Sequence, residues 1–364
     1  MNTIKEIFEN FAPEYIDRFA TNMPGQHRKV IDAILNCRSG HYGASIYTCQ
    51  DCGQSHIIYR SCGNRHCSNC QHHKTAQWLN RQLQRQLPGH HFMITFTIPE
   101  QLRRFFRSHQ RICYSALFSA SADTIKKLAK DPKHIGGNLP GFFGVLHTWG
   151  RQLQYHPHIH YVVAGGALSN ADDKWHPSRL DFFLPVKAMS KVFKAKLYDI
   201  MKKNNLYPDI PQDTWQQDFV VNCQSVGNPH QSLQYLSRYV FKVAISDYRI
   251  VNVQNRKVLF KYKKSGSHRW RTISLEVMEF IRRFLQHVLP TGFMKVRYYG
   301  FLNPNCSVAF EKVSALIQLA FGFLLKEPDC QVQPAKPPTC PACGGNLLYR
   351  ASILPHRMQF IGAG

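Results

Sequence analysis

The stretch that decides the reading is QYHPHIHYVVAGG, Gln154 to Gly166, in which His156, His158 and His160 occupy every second position ahead of an apolar run closed by two glycines. A period of two is the strand repeat, so the three imidazoles share one face while Ile159, Tyr161 and Val163 take the other. One histidine on a strand is ordinarily a hydrogen-bonded surface or core residue. Alternating imidazoles beside an apolar face instead look like metal ligands, because neutral imidazole is the commonest protein ligand for metals.

The rest of the chain has to support that chemistry. Its 364 residues predict a sizeable core and two or three domains. Lys and Arg number 46 against 22 Asp and Glu, a formal charge of +24, which favours a polyanionic partner with nucleic acid first among candidates. No run approaches the ~18 apolar residues of a membrane span. The N-terminal MNTIKEIFENFAPEYIDRF has no signal-peptide core, so an intracellular, cytoplasmic protein with no membrane partner is expected. In that compartment the 12 Cys read as metal ligands and free thiols rather than disulfides. Six of them lie between Cys37 and Cys70, which supports ligation.

Helical periodicity runs through residues 1–36, and His72 to Leu87 reads as a basic helix closed by Pro88-Gly89. From His91 the texture changes: HFMITFTIP reads as a strand, Gln101 to Lys130 as one or two helices, and Phe142 to Trp149 and Ile159 to Gly165 as strands joined in a hairpin. Ala188 to Lys202 is helical, RKVLFKYKKSGSHRWRTIS gives two strands around Ser265-Gly266, and LEVMEFIRRFLQHVL is an amphipathic helix ended by Pro290. The expected division is residues 1–89, 90–290 and 291–364.

In the cysteine block, Cys49-x2-Cys52 and Cys67-x2-Cys70 are separated by 14 residues. Two such knuckles can supply four thiolates to one structural zinc at about 2.3 Å. Cys37, His41, His56, Cys62 and His66 remain, either as packed side chains or as a second site with shared or exchanged ligands. The C-terminal CPACGG offers Cys340 and Cys343, with Cys330 and Cys306 upstream, a weaker zinc signal.

In SLQYLSRYVFK, Tyr235 and Tyr239 stand four apart, which on a helix puts both phenols on one face; Arg238 and Lys242 form a second such pair. A core aromatic stripe has the same spacing, but Leu233, Leu236 and Val240 can provide the packing face. A phenol with pKa about 10 is a poor nucleophile unless held in line with a stabilised electrophile. A divalent ion on histidines can polarise a phosphoryl oxygen for it. Together with the basic balance, these features describe DNA strand transfer through a phosphotyrosine. Lys261, Lys263, Lys264, Arg269 and Arg271 form a further candidate DNA surface.

HPHIH followed by a helix with Tyr-x3-Tyr resembles the HUH endonuclease superfamily, and more closely the two-tyrosine rolling-circle insertion-sequence transposases. The N-terminal CxxC, SCGNRHCSNCQ, LHTWGRQLQYHPHIH, FFLPVK, QYLSRYVFK and EFIRRFLQHVLPTGFMKVRYYGFL match that family's texture in order, over nearly the whole chain. The resemblance implies an α+β fold with a central antiparallel sheet flanked by helices, an HUH nuclease domain, and an N-terminal helical zinc-binding domain. It makes His158 and His160 the metal pair on a central strand, facing a helix that carries the nucleophiles Tyr235 and Tyr239. It implies Mg2+ or Mn2+ at the histidines, Zn2+ at the cysteines, and cleavage of single-stranded transposon ends to a 5′-phosphotyrosine and a free 3′-OH. Single-stranded end DNA and target DNA are then the partners, with a host helicase a candidate third.

Related relaxases use a third histidine upstream of the pair, and His147 lies 11 residues before His158, across the proposed hairpin. His156 competes for the role. Alternate residues on one strand stand about 7 Å apart, so three in a row converge poorly on one ion, which favours His147. Two other readings stay open at this point: a plasmid replication initiator or relaxase with the same chemistry, and a zinc-dependent DNA-binding regulator without nuclease activity.

Overall fold

The computed structural model describes residues 3–70, 77–82, 87–227, 244–264, 267, 269–322 and 338–355. In chain order its main elements are α1 (Ile4–Phe19), α2 (Gly25–Leu35), β1 (Ala44–Cys49), β2 (Ser55–Tyr59), β3 (His91–Thr97), α3 (Leu102–Ser108) and α4 (Gln110–Lys130). There follow β4 (Phe142–Trp149), β5 (Tyr155–Ala164), β6 (Gly166–Ser169), β7 (Lys174–Pro177), α5 (Val186–Lys203) and β8 (Val220–Gly227). The remainder are β9 (Ile250–Gln254), β10 (Lys257–Lys263), β11 (Trp270–Glu276), α6 (Val277–Leu285), β12 (Val296–Tyr299), α7 (Phe310–Phe321) and β13 (Leu347–Ile353). No described helix is long and apolar enough to cross a membrane.

These elements form an α+β protein with two compact units, each built from separated stretches of chain. One unit joins Met1–Ala76, Phe241–Val288 and Gln331–Gly364; the other joins Gln77–Val240 and Leu289–Cys330. The division at residues 89/90 and 290/291 read from the sequence is linear along the chain, whereas these units are discontinuous. Strand pairing is the reason, because β13 from the C-terminal stretch adds to β1 and β12 adds to β4.

The larger unit holds a five-stranded antiparallel sheet in the order β12-β4-β5-β3-β8, with β5 at its centre. Alternation along β5 divides its residues between two environments. Ile159, Tyr161 and Val163 are fully buried in one core with Phe92, Ile94 and Phe96 of β3, Leu117 and Ile125 of α4, and Phe193 and Leu197 of α5. His158 and His160 therefore stand on the opposite face.

Tyr161 fixes this arrangement. Its hydroxyl is hydrogen-bonded to Ser121 Oγ of α4 at 2.7 Å, tying the central strand to the helix beneath it. Its ring lies over Gly144, its cross-strand partner on β4. A Cβ built on Gly144 would sit 2.3 Å from Tyr161 Cε1, so no larger residue fits without moving β4 or the ring.

In the smaller unit, α1 and α6 pack through an edge-to-face contact of Phe8 and Phe284, with ring centroids 5.2 Å apart. Phe280 on α6 meets Phe260 on β10, whose sheet runs β11-β10-β9. A second sheet runs β13-β1-β2 and has Cys49 at the end of its middle strand. The basic helix expected over His72–Leu87 lies largely outside the described residues, of which 77–82 are helical.

The close approach at Gly144 gives a stability test. Gly144→Ala should lower the urea midpoint, with a loss of about 1–3 kcal/mol from overpacking. An unchanged midpoint would mean that the strands do not meet as closely as described.

Candidate metal centres

β4 and β5 bring three histidines together. His147 is the direct cross-strand partner of His158, and His160 follows two residues along the same face. One ring nitrogen from each lies within 4.8 Å of the others, and the ring centroids are 4.7 to 5.2 Å apart. The third imidazole comes from the adjacent strand because neighbouring strands are closer than alternate residues of one strand.

Hydrogen bonds orient two of these rings. His158 Nδ1–H donates to the His156 carbonyl at 2.7 Å, and His160 Nδ1 is bonded to Thr95 Oγ1 of β3 at 2.8 Å. Each bond occupies Nδ1 and leaves Nε2 as the ligand atom, the arrangement that orients metal-binding histidines generally. Burial pushes the His160 pKa down to about 4 and that of His158 well below the usual imidazole range, with neighbouring histidines adding to both. Both rings are thus neutral at physiological pH, with the lone pair that ligation needs.

His156 has a different environment. Arg103 Nη2 approaches its Nδ1 at 3.1 Å, and a guanidinium can only donate, so this nitrogen accepts and the neutral ring carries its proton on Nε2. That tautomer has no nitrogen left to offer a cation. Arg103 is itself held by Glu100 at 2.9 Å. Lys295 Nζ lies 4.9 Å from the centre of Trp149, whose indole stacks on His147. Two cationic side chains therefore flank the histidines. Neither Thr95 nor Arg103 is legible in the sequence, because each is brought to the site only by strand or helix packing.

The cysteines pair differently from the expectation. Cys49 and Cys52 do not share a cluster with Cys67 and Cys70. One set consists of Cys37, Cys62, Cys67 and Cys70, the other of Cys49, Cys52, Cys340 and Cys343, each with its Sγ atoms within 4.8 Å of one another. The reason is again register. Cys49 ends β1 opposite Leu347 of β13, which draws the C-terminal knuckle alongside it. Cys37 follows α2, where its Sγ lies 3.4 Å from Cys70 Sγ.

The two knuckles of the second set have the same construction. Each reads Cys-x-x-Cys-Gly, with the glycine at positive φ, +72° at Gly53 and +79° at Gly344. Gly53 N–H donates to Cys49 O and Gly344 N–H to Cys340 O, at 3.2 and 2.8 Å. Cys49 N–H donates to Gln54 O and Cys340 N–H to Gly345 O, at 2.8 and 2.7 Å. Such turns aim both thiols of a knuckle at one point, and two facing knuckles give the tetrahedral donor set zinc prefers. The Cys49 thiol is lowered to about 7, first by the Cys52 backbone N–H, which favours the ligating thiolate. His56 Nε2 approaches Cys340 Sγ at 3.2 Å, whereas His66 joins neither set. The repeated CxxCG is the one sequence signal that could have matched these knuckles.

Lys261, Lys263, Lys264, Arg269 and Arg271 lie on and beside the β10–β11 hairpin. Tyr235, Arg238, Tyr239, Lys242 and Cys330 fall outside the described residues.

Comparison with known proteins gives a consistent result. Residues 141–309 match a family described as "Putative transposase", and residues 7–98 match a "Transposase zinc-binding domain". The chain is 34% identical over 320 residues to "Putative transposase y4qJ" of Sinorhizobium fredii (strain NBRC 101917 / NGR234), covering 82% of this chain and 80% of that protein. It is 26% identical over 352 residues to the "Transposase for insertion sequence element IS801" of Pseudomonas savastanoi pv. phaseolicola, covering 89% and 83%. No solved structure matches the chain.

Two four-thiol sets predict two zinc ions per chain by elemental analysis. Cys67→Ser and Cys340→Ser should each remove one and destabilise the unit that holds them, since structural zinc contributes folding free energy directly. A single ion per chain, with Cys340→Ser retaining full zinc, would instead support the four-thiol set of Cys49, Cys52, Cys67 and Cys70.

Proposed function

The chain belongs to the IS91/IS801 family of insertion-sequence transposases, and from that premise we propose that it cleaves and rejoins single-stranded transposon ends as an HUH-type endonuclease, with Tyr235 and Tyr239 as nucleophiles. The observation that carries the reading is the convergence of His147, His158 and His160 on one sheet face, with hydrogen bonds at Nδ1 of His158 and His160 leaving their Nε2 atoms for an ion. Family membership favours transposon ends over a replication origin as substrate.

The histidines would hold a divalent ion, Mg2+ or Mn2+; an all-imidazole set also accepts Zn2+. When bound, such an ion supplies Lewis-acid polarisation of a phosphoryl oxygen. Arg103 and Lys295 add positive charge beside the scissile phosphate, and Arg238 and Lys242 contact neighbouring phosphates. One tyrosine oxygen attacks phosphorus as its proton leaves to solvent. The bond from phosphorus to O3′ breaks, and O3′ takes up a proton to become a 3′-OH. The 5′ side remains as a phosphotyrosine ester.

A second tyrosine permits a second covalent link. A 3′-OH that attacks the other phosphotyrosine re-forms a phosphodiester and releases the phenol, so strand transfer proceeds without a double-strand break. This sequence suits rolling-circle transposition, with strand separation by a host helicase. The zinc-bearing unit would recognise the transposon ends.

Tyr235→Phe and Tyr239→Phe should each impair transposition, and the double variant should form no covalent protein–DNA adduct on a denaturing gel. An adduct from the double variant would overturn the assignment. His158→Ala or His160→Ala should abolish cleavage while keeping most single-strand affinity, which comes from phosphate contacts and stacking. Persistent cleavage in chelator, with no metal left on the protein, would remove the histidines from the chemistry.

Thr95→Val tests the hydrogen bond to His160 separately. It should raise the Mn2+ concentration needed for half-maximal cleavage by about 10- to 100-fold and recover activity at saturating Mn2+. An unshifted titration would show that Thr95 does not orient His160.

A further inference from the structure

Six of the residues from Lys257 to Glu276 are Lys or Arg, and the one acidic residue, Glu276, pairs with Lys257 at 3.7 Å. The inner face of this hairpin buries Val258 and Phe260 against α6. The other face presents Trp270, 47% exposed, and beside it stands Tyr248, 66% exposed. Their rings meet edge to face with centroids 6.3 Å apart. Lys263, the cross-strand partner of Trp270, holds Nζ 5.0 Å from the indole centre. Lys261 lies two residues before Lys263 on the same strand face, and Lys264 and Arg269 are exposed beside it; Arg271, opposite Tyr262, takes the other face.

A single exposed aromatic is ordinary on a protein surface, but two in ring contact make a contiguous apolar patch of the kind that marks a binding site. Here they are rimmed by cations rather than by further apolar residues, so the partner must be anionic and must offer flat apolar faces. Asp247, the neighbouring acid, accepts the Ile4 N–H at 2.9 Å and so is engaged at the start of α1. Unpaired nucleobases on a phosphate backbone fit both requirements. Bases in a duplex do not, since their faces are already stacked.

We propose that Tyr248 and Trp270 form a stacking platform for two or more unpaired bases, with Lys261, Lys263, Lys264 and Arg269 on the adjoining phosphates. Tyr248 and Trp270 belong to the zinc-bearing unit and the three histidines to the other. The inference rests on the reading of the protein as a single-strand transposase and adds a non-catalytic binding site to it.

The test uses the full chain, an oligothymidylate, an abasic strand of the same length and phosphate number, and a duplex. Wild-type protein should bind oligothymidylate at least about 30-fold more tightly than the abasic strand, because the abasic strand keeps the phosphates and loses the base–aromatic stacking. Trp270→Ala with Tyr248→Ala should lose most of that preference while keeping zinc content and, at saturating DNA, covalent adduct formation. Trp270→Phe should restore part of it. If the double variant keeps the full preference, or the duplex competes as well as the single strand, the platform does not exist. If wild-type protein neither binds single strands nor forms an adduct, the transposase chemistry proposed above fails with it; adduct formation with no base preference overturns the platform alone.

Discussion

The central constraint is the alternation of side chains along β5. Because the strand is the middle of five, one face must be buried under α4 and α5, and Ile159, Tyr161 and Val163 fill that role. The other face is then compelled to carry His158 and His160. A slip of one residue would put imidazoles into the hydrocarbon core and phenol and methyl groups on the polar face, so the register is strongly specified. Gly144 adds to this, since it leaves room on β4 for the Tyr161 ring, and His147 stands opposite His158 three pairs further on. The packing of an apolar core thus sets the geometry of a polar site on the opposite surface.

The same principle operates at the cysteines. A pair of CxxC knuckles close in sequence need not share an ion, because what matters is which thiols the strand pairing brings within reach. β1 is flanked by β2 and β13, and its last residue, Cys49, faces the strand that begins at Leu347. The knuckle at Cys340 is delivered by that pairing, and Cys67 and Cys70 are left to Cys37 and Cys62. Each four-thiol set joins segments distant in sequence, so zinc there would oppose unfolding by closing long loops as well as by ligation. The zinc-binding domain and the C-terminal stretch are one unit for this reason.

Charge is distributed according to role. Around the histidines the cations are few and positioned, with Arg103 held between Glu100 and His156, and Lys295 over Trp149. On the β10–β11 hairpin they are many and largely exposed. The first arrangement suits a single phosphate held in register for chemistry. The second suits a mobile polyanion, whose affinity comes from the number of contacts and falls with salt.

Much of this protein was legible in its sequence because the signals are local. Periodicity gave the N-terminal helices, the strand at His91, the hairpin that carries HPHIH, the basic hairpin and the amphipathic α6, since each depends on side chains a few residues apart. The family resemblance rested on motifs and was met by the transposase matches. What only the tertiary structure decided is every relation between distant segments: the partition of the cysteines, the discontinuous units, the engagement of Thr95 and Arg103 with the histidines, and the meeting of Tyr248 with Trp270. Spacing along a chain reports which face a residue takes, but not which strand will lie beside it. That choice is made by burial of whole faces, and the chemistry of these sites follows from it.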